Sequence, residues 1–281
     1  ITCRDWSSDV CSSDLKKEDE VMKSKYGLIA LAIKVGPKVI GVLTKLATGL
    51  KVGKVGLAGV SLASYAYMFT WEFAAMIMFM LFVHESGHIW AMKRCGIKTK
   101  GIYFLPFVGG AAVADGEFPS RGAEAFVAIM GPIWGLVLAL FIGLVYVGTE
   151  NPLFAAAASW MAMVNLFNLL PISPLDGGRI MKSIAYSVHS RVGLVLLIVG
   201  ILATGIVAFK VSLGLFVFLF VVGGLELILE YKRRAECPTM NGTTIFISAI
   251  TYVSVAGSLW GLMAYMEHIP GAAAAMELLA G

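Results

Sequence analysis

Apolar residues fall in long runs, and polar residues form short interruptions between them. Seven runs stand out, roughly 56–71, 72–92, 122–147, 152–170, 192–209, 211–230 and 243–266. Most reach the about 17–25 residues that a membrane-crossing helix needs, and the first is the shortest. The pattern predicts an all-α, polytopic membrane protein with about six to seven transmembrane helices. Two segments depart from it. Over 34–54, Val39, Leu43, Leu46 and Leu50 keep helical spacing among Lys38, Lys45, Lys51 and Lys54. That suits a helix lying on an anionic membrane surface, with a solvated linker as the alternative. The stretch 101–118 is too short and too interrupted to span. Two short apolar strands around Gly109 and Gly110 predict a small membrane-associated β-hairpin, with a plain interfacial loop as the alternative.

Composition narrows the class. The 281 residues are 58% hydrophobic and only 14% charged, with a mean hydropathy of +0.83. Soluble domains carry about 25% charge and about 45–50% apolar residues. A disordered chain is excluded, and four cysteines in this length exclude a small disulfide scaffold. A net charge of +4 is too small to suggest nucleic acid as a partner. Residues 5–15 match one reading frame of a common sequencing-adaptor oligonucleotide, so 1–15 are set aside as a probable artefact. An ordinary polar N-terminus is the alternative. The rest divides into a basic cytoplasmic or interfacial segment 16–55, a transmembrane core with accessory helices 56–266, and a short tail 267–281.

Charge then orients the chain. Of 22 Lys and Arg, nine lie in 16–54, five from Lys93 to Arg121, three in 171–191 and three at 232–234. Only Arg4, in the set-aside segment, and Lys210 fall elsewhere. Basic residues mark the cytoplasmic side, so the N-terminus is expected inside, in a prokaryotic plasma membrane. Cys95 and Cys237 then face a reducing compartment, and no structural disulfide is expected.

The second apolar run contains His84-Glu85-Ser86-Gly87-His88. Residues four apart share a helical face, so His84 and His88 can bind one metal ion. Two imidazoles suit zinc. Glu85 can take a proton from a water attacking a carbonyl. Gly87 leaves room for close approach beside the metal. Ionisable groups inside a membrane helix are costly and suggest function, against the bland reading of histidines hydrogen-bonded between helices. A catalytic zinc needs a third protein ligand. Cys95, Cys237, His189 and His268 are poorly placed for it, and Asp176 is the best candidate, in Pro171-Ile172-Ser173-Pro174-Leu175-Asp176-Gly177-Gly178. Two prolines break the helix there and the glycines permit a sharp turn. Taken alone, Asp-Gly is an ordinary turn signal.

The two motifs together, with Asn168 and Pro171 preceding Asp176, resemble the site-2 protease family of intramembrane zinc metalloproteases. Gly131-Pro132-Ile133-Trp134-Gly135, opening the helix between them, is also similar. The resemblance covers about 72–185. It implies His84, His88 and Asp176 as ligands of one zinc ion per chain, Glu85 as general base, and Asn168 as a substrate or oxyanion contact. It also implies a hairpin or strand near the zinc, whose edge pairs with an unwound substrate. The implied partners are a membrane-protein substrate and the bilayer; nothing fixes the oligomeric state.

Competing functions remain open at this level. A membrane zinc peptidase acting on soluble or interfacial peptides would take a later glutamate as third ligand, and Glu226 is the candidate. A non-catalytic metal-binding membrane protein is the other alternative. The remaining features have bland readings. Gly131 and Gly135 have small-xxx-small helix-packing spacing. Met76, Met78 and Met80 do not share a helical face. Glu226 and Glu230 suggest an interfacial ion-pair network with Lys232, Arg233 and Arg234. Asn165 is expected to hydrogen-bond between helices.

Overall fold

A computed structural model describes residues 53–106, 109–211, 214–233 and 237–273. The set-aside segment 1–15 and the amphipathic stretch 34–54, Gly53 and Lys54 excepted, lie outside the described residues, as does the tail beyond 273. Eight helices and one hairpin follow in order. They are α1 (Lys54–Met68), α2 (Trp71–Arg94), β1 (Thr99–Leu105), β2 (Gly109–Ala114), α3 (Arg121–Thr149), α4 (Pro152–Asn168), α5 (Asp176–Val188), α6 (Ser190–Val211), α7 (Gly214–Arg233) and α8 (Gly242–Glu267).

Polar residues between the apolar runs set the helix starts. Thr70 accepts from the Phe73 N–H, Ser120 from Ala123, Asn151 from Leu153 and Asn241 from Thr244. Each such cap contributes about 1 kcal/mol. Pro152 takes the first position of α4, where its missing N–H costs nothing. Three helices, α2, α3 and α8, are long and apolar enough to cross a membrane. They make the chain an integral membrane protein. Large apolar residues along their outer faces stay exposed, among them Phe141, Leu144, Phe246 and Ile250, as lipid contact requires. The remaining apolar runs form helices of 15 residues in α1, 17 in α4, 22 in α6 and 20 in α7. Among the described residues, three of the expected six to seven spans are thus carried by length and composition together. Helix α5 matches no apolar run; it is amphipathic, with its polar residues turned toward α3 and α7.

Helix α3 packs on α2, α4, α5 and α8, so it sits at the centre. Helices α6 and α7 pair with each other, and α6 rests on α5. The 101–118 stretch forms the hairpin rather than a loop. Its strands are antiparallel, with Ile102 opposite Ala112 and Phe104 opposite Gly110. Gly109 opens β2 at φ +123°, a conformation that side chains rarely tolerate. Phe104 packs with Met80, Leu81, Ala139 and Met161, while Ala112 and Ala114 pack near Ala91, Met92 and Val127. The hairpin is thereby fixed along α2, the helix that carries His84 and His88.

Candidate metal centre

The α-helical period places His84 and His88 one above the other on α2, both buried. Their Nε2 atoms lie 3.1 Å apart. The outer ring nitrogens are tied down. His88 Nδ1 is 2.7 Å from the Val127 carbonyl of α3, which can only accept, so that nitrogen donates. His84 Nδ1 is 2.8 Å from Asn165 Oδ1 of α4. The Asn165 amide nitrogen donates to the Met161 carbonyl at 2.7 Å, which leaves its oxygen for His84. Both imidazoles therefore carry their proton on Nδ1 and turn an Nε2 lone pair inward.

Asp176 closes the set. As the first residue of α5 it points Oδ2 at His84 Nε2 (3.0 Å) and His88 Nε2 (3.2 Å). Two imidazole nitrogens and a carboxylate oxygen within 3.2 Å of one another are a donor set that could hold one zinc ion. Glu85 is also close, grouped with the two histidines within 4.8 Å. Its carboxylate, however, accepts the Ala112 N–H of β2 at 2.6 Å. Asp176 Oδ2 lies against both imidazole nitrogens, whereas the Glu85 carboxylate is engaged by β2.

Glycines make the space. A Cβ on Gly131 would lie 2.3 Å from His88 Nε2 and 2.7 Å from His84 Nε2. One on Gly135 would lie 1.9 Å from Asn165 Oδ1, and one on Gly110 2.8 Å from Glu85 Cγ. The glycine pair expected only to pack helices thus holds open the centre and the pocket of its supporting amide. Gly87, expected to leave room beside the metal, instead lets α2 touch α3; its Cβ would lie 2.4 Å from the Met130 carbonyl oxygen.

The other candidates sit apart. His189 Nδ1 accepts from the Arg191 N–H, and His268 bonds Ala264 within its own helix. Cys237 lies beside Arg121, and burial pushes the Cys95 thiol up, away from the thiolate a metal needs. Asn168 is half-buried at the end of α4; the amide that reaches His84 is Asn165, one turn earlier. Glu226 and Glu230 were expected in an interfacial network with Lys232, Arg233 and Arg234, whose side chains lie outside the described residues. Both glutamates pair with Lys182 of α5, and Glu230 also with Arg121 of α3. Sequence gave no signal for two supporting groups, the Val127 carbonyl and the Ala112 N–H, because any residue supplies them.

Known proteins similar to this chain are named as zinc metalloproteases. Residues 72–151 match the model of peptidase family M50, the site-2 protease family. The chain is 31% identical over 190 residues to Zinc metalloprotease MJ0392 of Methanocaldococcus jannaschii, covering 60% of this chain and 52% of that protein. It is 32% identical over 163 residues to Putative zinc metalloprotease Rip3 of Mycobacterium tuberculosis, covering 54% and 40%. It is 39% identical over 122 residues to Putative zinc metalloprotease sll0528 of Synechocystis, covering 41% and 31%. The chain thus spans about half, or less, of the curated relatives it matches.

Proposed function

We propose, from a chain whose residues 72–151 are a peptidase family M50 segment, that this protein is an intramembrane zinc metalloprotease. Its reaction is hydrolysis of peptide bonds in or near the transmembrane segments of membrane-protein substrates. One observation carries the reading. His84 Nε2, His88 Nε2 and Asp176 Oδ2 meet beside Glu85, on a helix long and apolar enough to cross a membrane.

His84, His88 and Asp176 would hold one zinc ion per chain. Zinc, when bound, supplies Lewis acidity that polarises a peptide carbonyl and makes water acidic. The protein's own groups do the rest. Asn165 and the Val127 carbonyl hold the imidazoles in the tautomer that presents Nε2. Glu85 accepts a proton from the attacking water and returns it to the departing amine. Asn168 contacts the substrate. An edge of the hairpin would offer an unwound substrate strand the backbone partners that lipid cannot. Competition from the alternative third ligand is weak: Glu226 is engaged by Lys182 and Ser173.

The membrane reading extends beyond the three long helices. Helices α1, α4, α6 and α7 are taken as shorter crossings, which makes about seven spans. The partition of basic residues supports an N-terminus and a Lys93 end of α2 on the cytoplasmic side of a prokaryotic plasma membrane. Nine residues of continuous helix then put His84 about 13 Å inside that boundary. A site at that depth favours substrates already in the bilayer, and helix-breaking residues in the substrate should speed cleavage. Reporters fused after Lys93 should read cytoplasmic and after Glu150 external; the reverse would overturn the orientation.

The test of function is metal analysis and a liposome assay on a membrane-spanning substrate beside its soluble counterpart. Wild type should hold zinc and cleave the membrane form. Glu85→Gln should keep zinc and lose about 10²–10⁴-fold in turnover, because an amide cannot take the proton. Cleavage of the soluble peptide alone would favour a peptidase of soluble substrates.

A further inference from the structure

Helix α7 grips the turn that carries Asp176 from both sides. Ahead of Asp176, the Ser173 hydroxyl donates to Glu226. One turn earlier on α7, Gly223 lets the helix approach so closely that a Cβ there would lie 3.0 Å from the Ser173 carbonyl oxygen. Beyond Asp176, Lys182 donates to Glu226 at 2.6 Å and pairs with Glu230 at 3.3 Å. Lys182 also reaches Glu124 of α3 at 2.7 Å, which anchors the same point to the central helix. A single α7 carboxylate therefore contacts the chain three residues before Asp176 and six residues after it.

Leu175 occupies the cap position of α5 and makes no side-chain cap bond. Gly177 and Gly178 pack only backbone on backbone; a Cβ on either would meet Leu169 or Ile172 main-chain atoms at 2.0–2.5 Å. Charge burial also needs a reason. Lys182, Glu124 and Glu230 are each about 4% exposed, and buried ion pairs commonly contribute no more stability than apolar residues of the same volume. A role in fixing geometry accounts for keeping them. Metal centres demand such fixing, since ligand distances must hold within about 0.2 Å.

We infer that Glu226 is a positioning residue for Asp176: through Ser173 and Lys182, helix α7 sets where the Asp176 carboxylate stands against the His84–His88 pair. The inference rests on the reading of Asp176 as third ligand. It extends the working centre beyond the matched segment 72–151 to a helix that offers no ligand of its own. It also gives α7 leverage over the centre, because a shift of α7 moves Ser173 and Lys182 together.

A double-mutant cycle on the full chain in detergent tests this, with zinc affinity read by chelator competition. Glu226→Ala should weaken zinc binding about tenfold, the size typical of groups that orient ligands. Glu226→Gln, whose one amide oxygen can accept from Lys182 while its NH2 donates to the Ser173 hydroxyl, should restore part of it. Beside Asp176→Ala, the Glu226→Ala change should have no further effect. An undiminished loss in that background would overturn the inference, because the effect would not pass through Asp176; so would unchanged affinity in Glu226→Ala alone. If Asp176→Ala alone bound zinc like wild type, the third-ligand reading would fall and the inference with it. Should Glu226→Ala not fold, Ser173→Ala removes only the hydroxyl contact. Its smaller loss should likewise vanish beside Asp176→Ala, and persistence there would overturn the inference.

Discussion

Two buried polar clusters lie within a few helical turns of each other, and they are built on opposite principles. The network of Arg121, Glu124, Lys182, Glu226 and Glu230 brings its own cations: Lys182 reaches three carboxylates, and Arg121 reaches two. Burial disfavours the Lys182 ammonium, but Glu124, Glu226 and Glu230 outweigh it and raise its pKa above the ordinary lysine value. The centre at His84, His88 and Asp176 does the reverse. Its protons point outward to Asn165 and Val127, and three lone-pair atoms converge with no donor among them. Such a set asks for a cation from outside. Burial alone does not separate the two clusters. The direction of the hydrogens does, and it marks one as support and the other as a site.

The contrast breaks most sharply under charge deletion. Lys182→Met leaves Glu124, Glu226 and Glu230 facing one another, and should cost about 3–5 kcal/mol of stability in zinc-free protein. His84→Ala should lose zinc yet leave the zinc-free protein about as stable as wild type, because it relieves crowded acceptors. Denaturant unfolding in detergent under chelator measures both. Equal destabilisation by the two changes would erase the distinction. The sign with pH follows from the raised Lys182 pKa. Its contribution is complete below the unfolded lysine value, about 10.4, and is lost only as pH climbs through the higher folded value. Stability between pH 7 and 9 should therefore show no step from Lys182.

A smaller effect tests the outward hydrogens. Asn165→Leu removes the acceptor of His84 Nδ1 and should weaken zinc about 10–100-fold. Asn165→Asp, which still accepts, should weaken it less. In ¹⁵N-histidine NMR of zinc-free protein, His84 should shift toward a mixture of tautomers in the Leu variant. An unchanged spectrum would mean that Asn165 does not set the tautomer.

How much of this was legible beforehand differs by the kind of signal. His84 and His88 were readable as a pair because helical period puts them on one face, and Glu85 because it adjoins them in the motif. Asp176 was readable only through its turn of prolines and glycines and a resemblance, since nothing local joins residues 84 and 176. The three long spans followed from length. The shorter helices did not give a reliable span count, because apolar runs do not say where a helix ends. Amphipathic α5 was missed for a related reason: its polar face is buried against Glu124 and Glu226, and sequence reads polar as solvent. Arg121 and Lys182 were counted among loop charges for the same cause. Gly131 was read as packing because a glycine's neighbours are invisible in one dimension.

The smallest effect belongs to Ser120, which sits directly before Arg121 at the foot of α3. Its hydroxyl accepts the Ala123 N–H at 3.1 Å and takes no part in the ion pairs. Ser120→Ala should cost about 1 kcal/mol, the ordinary value of an N-cap. It should leave zinc affinity unchanged, because Arg121 and Glu124 are held by Glu230, Lys182 and Ser183 from two other helices. A network that brings its own cations does not depend on the cap beneath it. If Ser120→Ala instead cost as much as Lys182→Met, or lowered zinc affinity, fraying of the first turn of α3 would be reaching the network. The cluster would then lean on local helix structure rather than satisfy itself, and the division between support and site would have to be redrawn along α3.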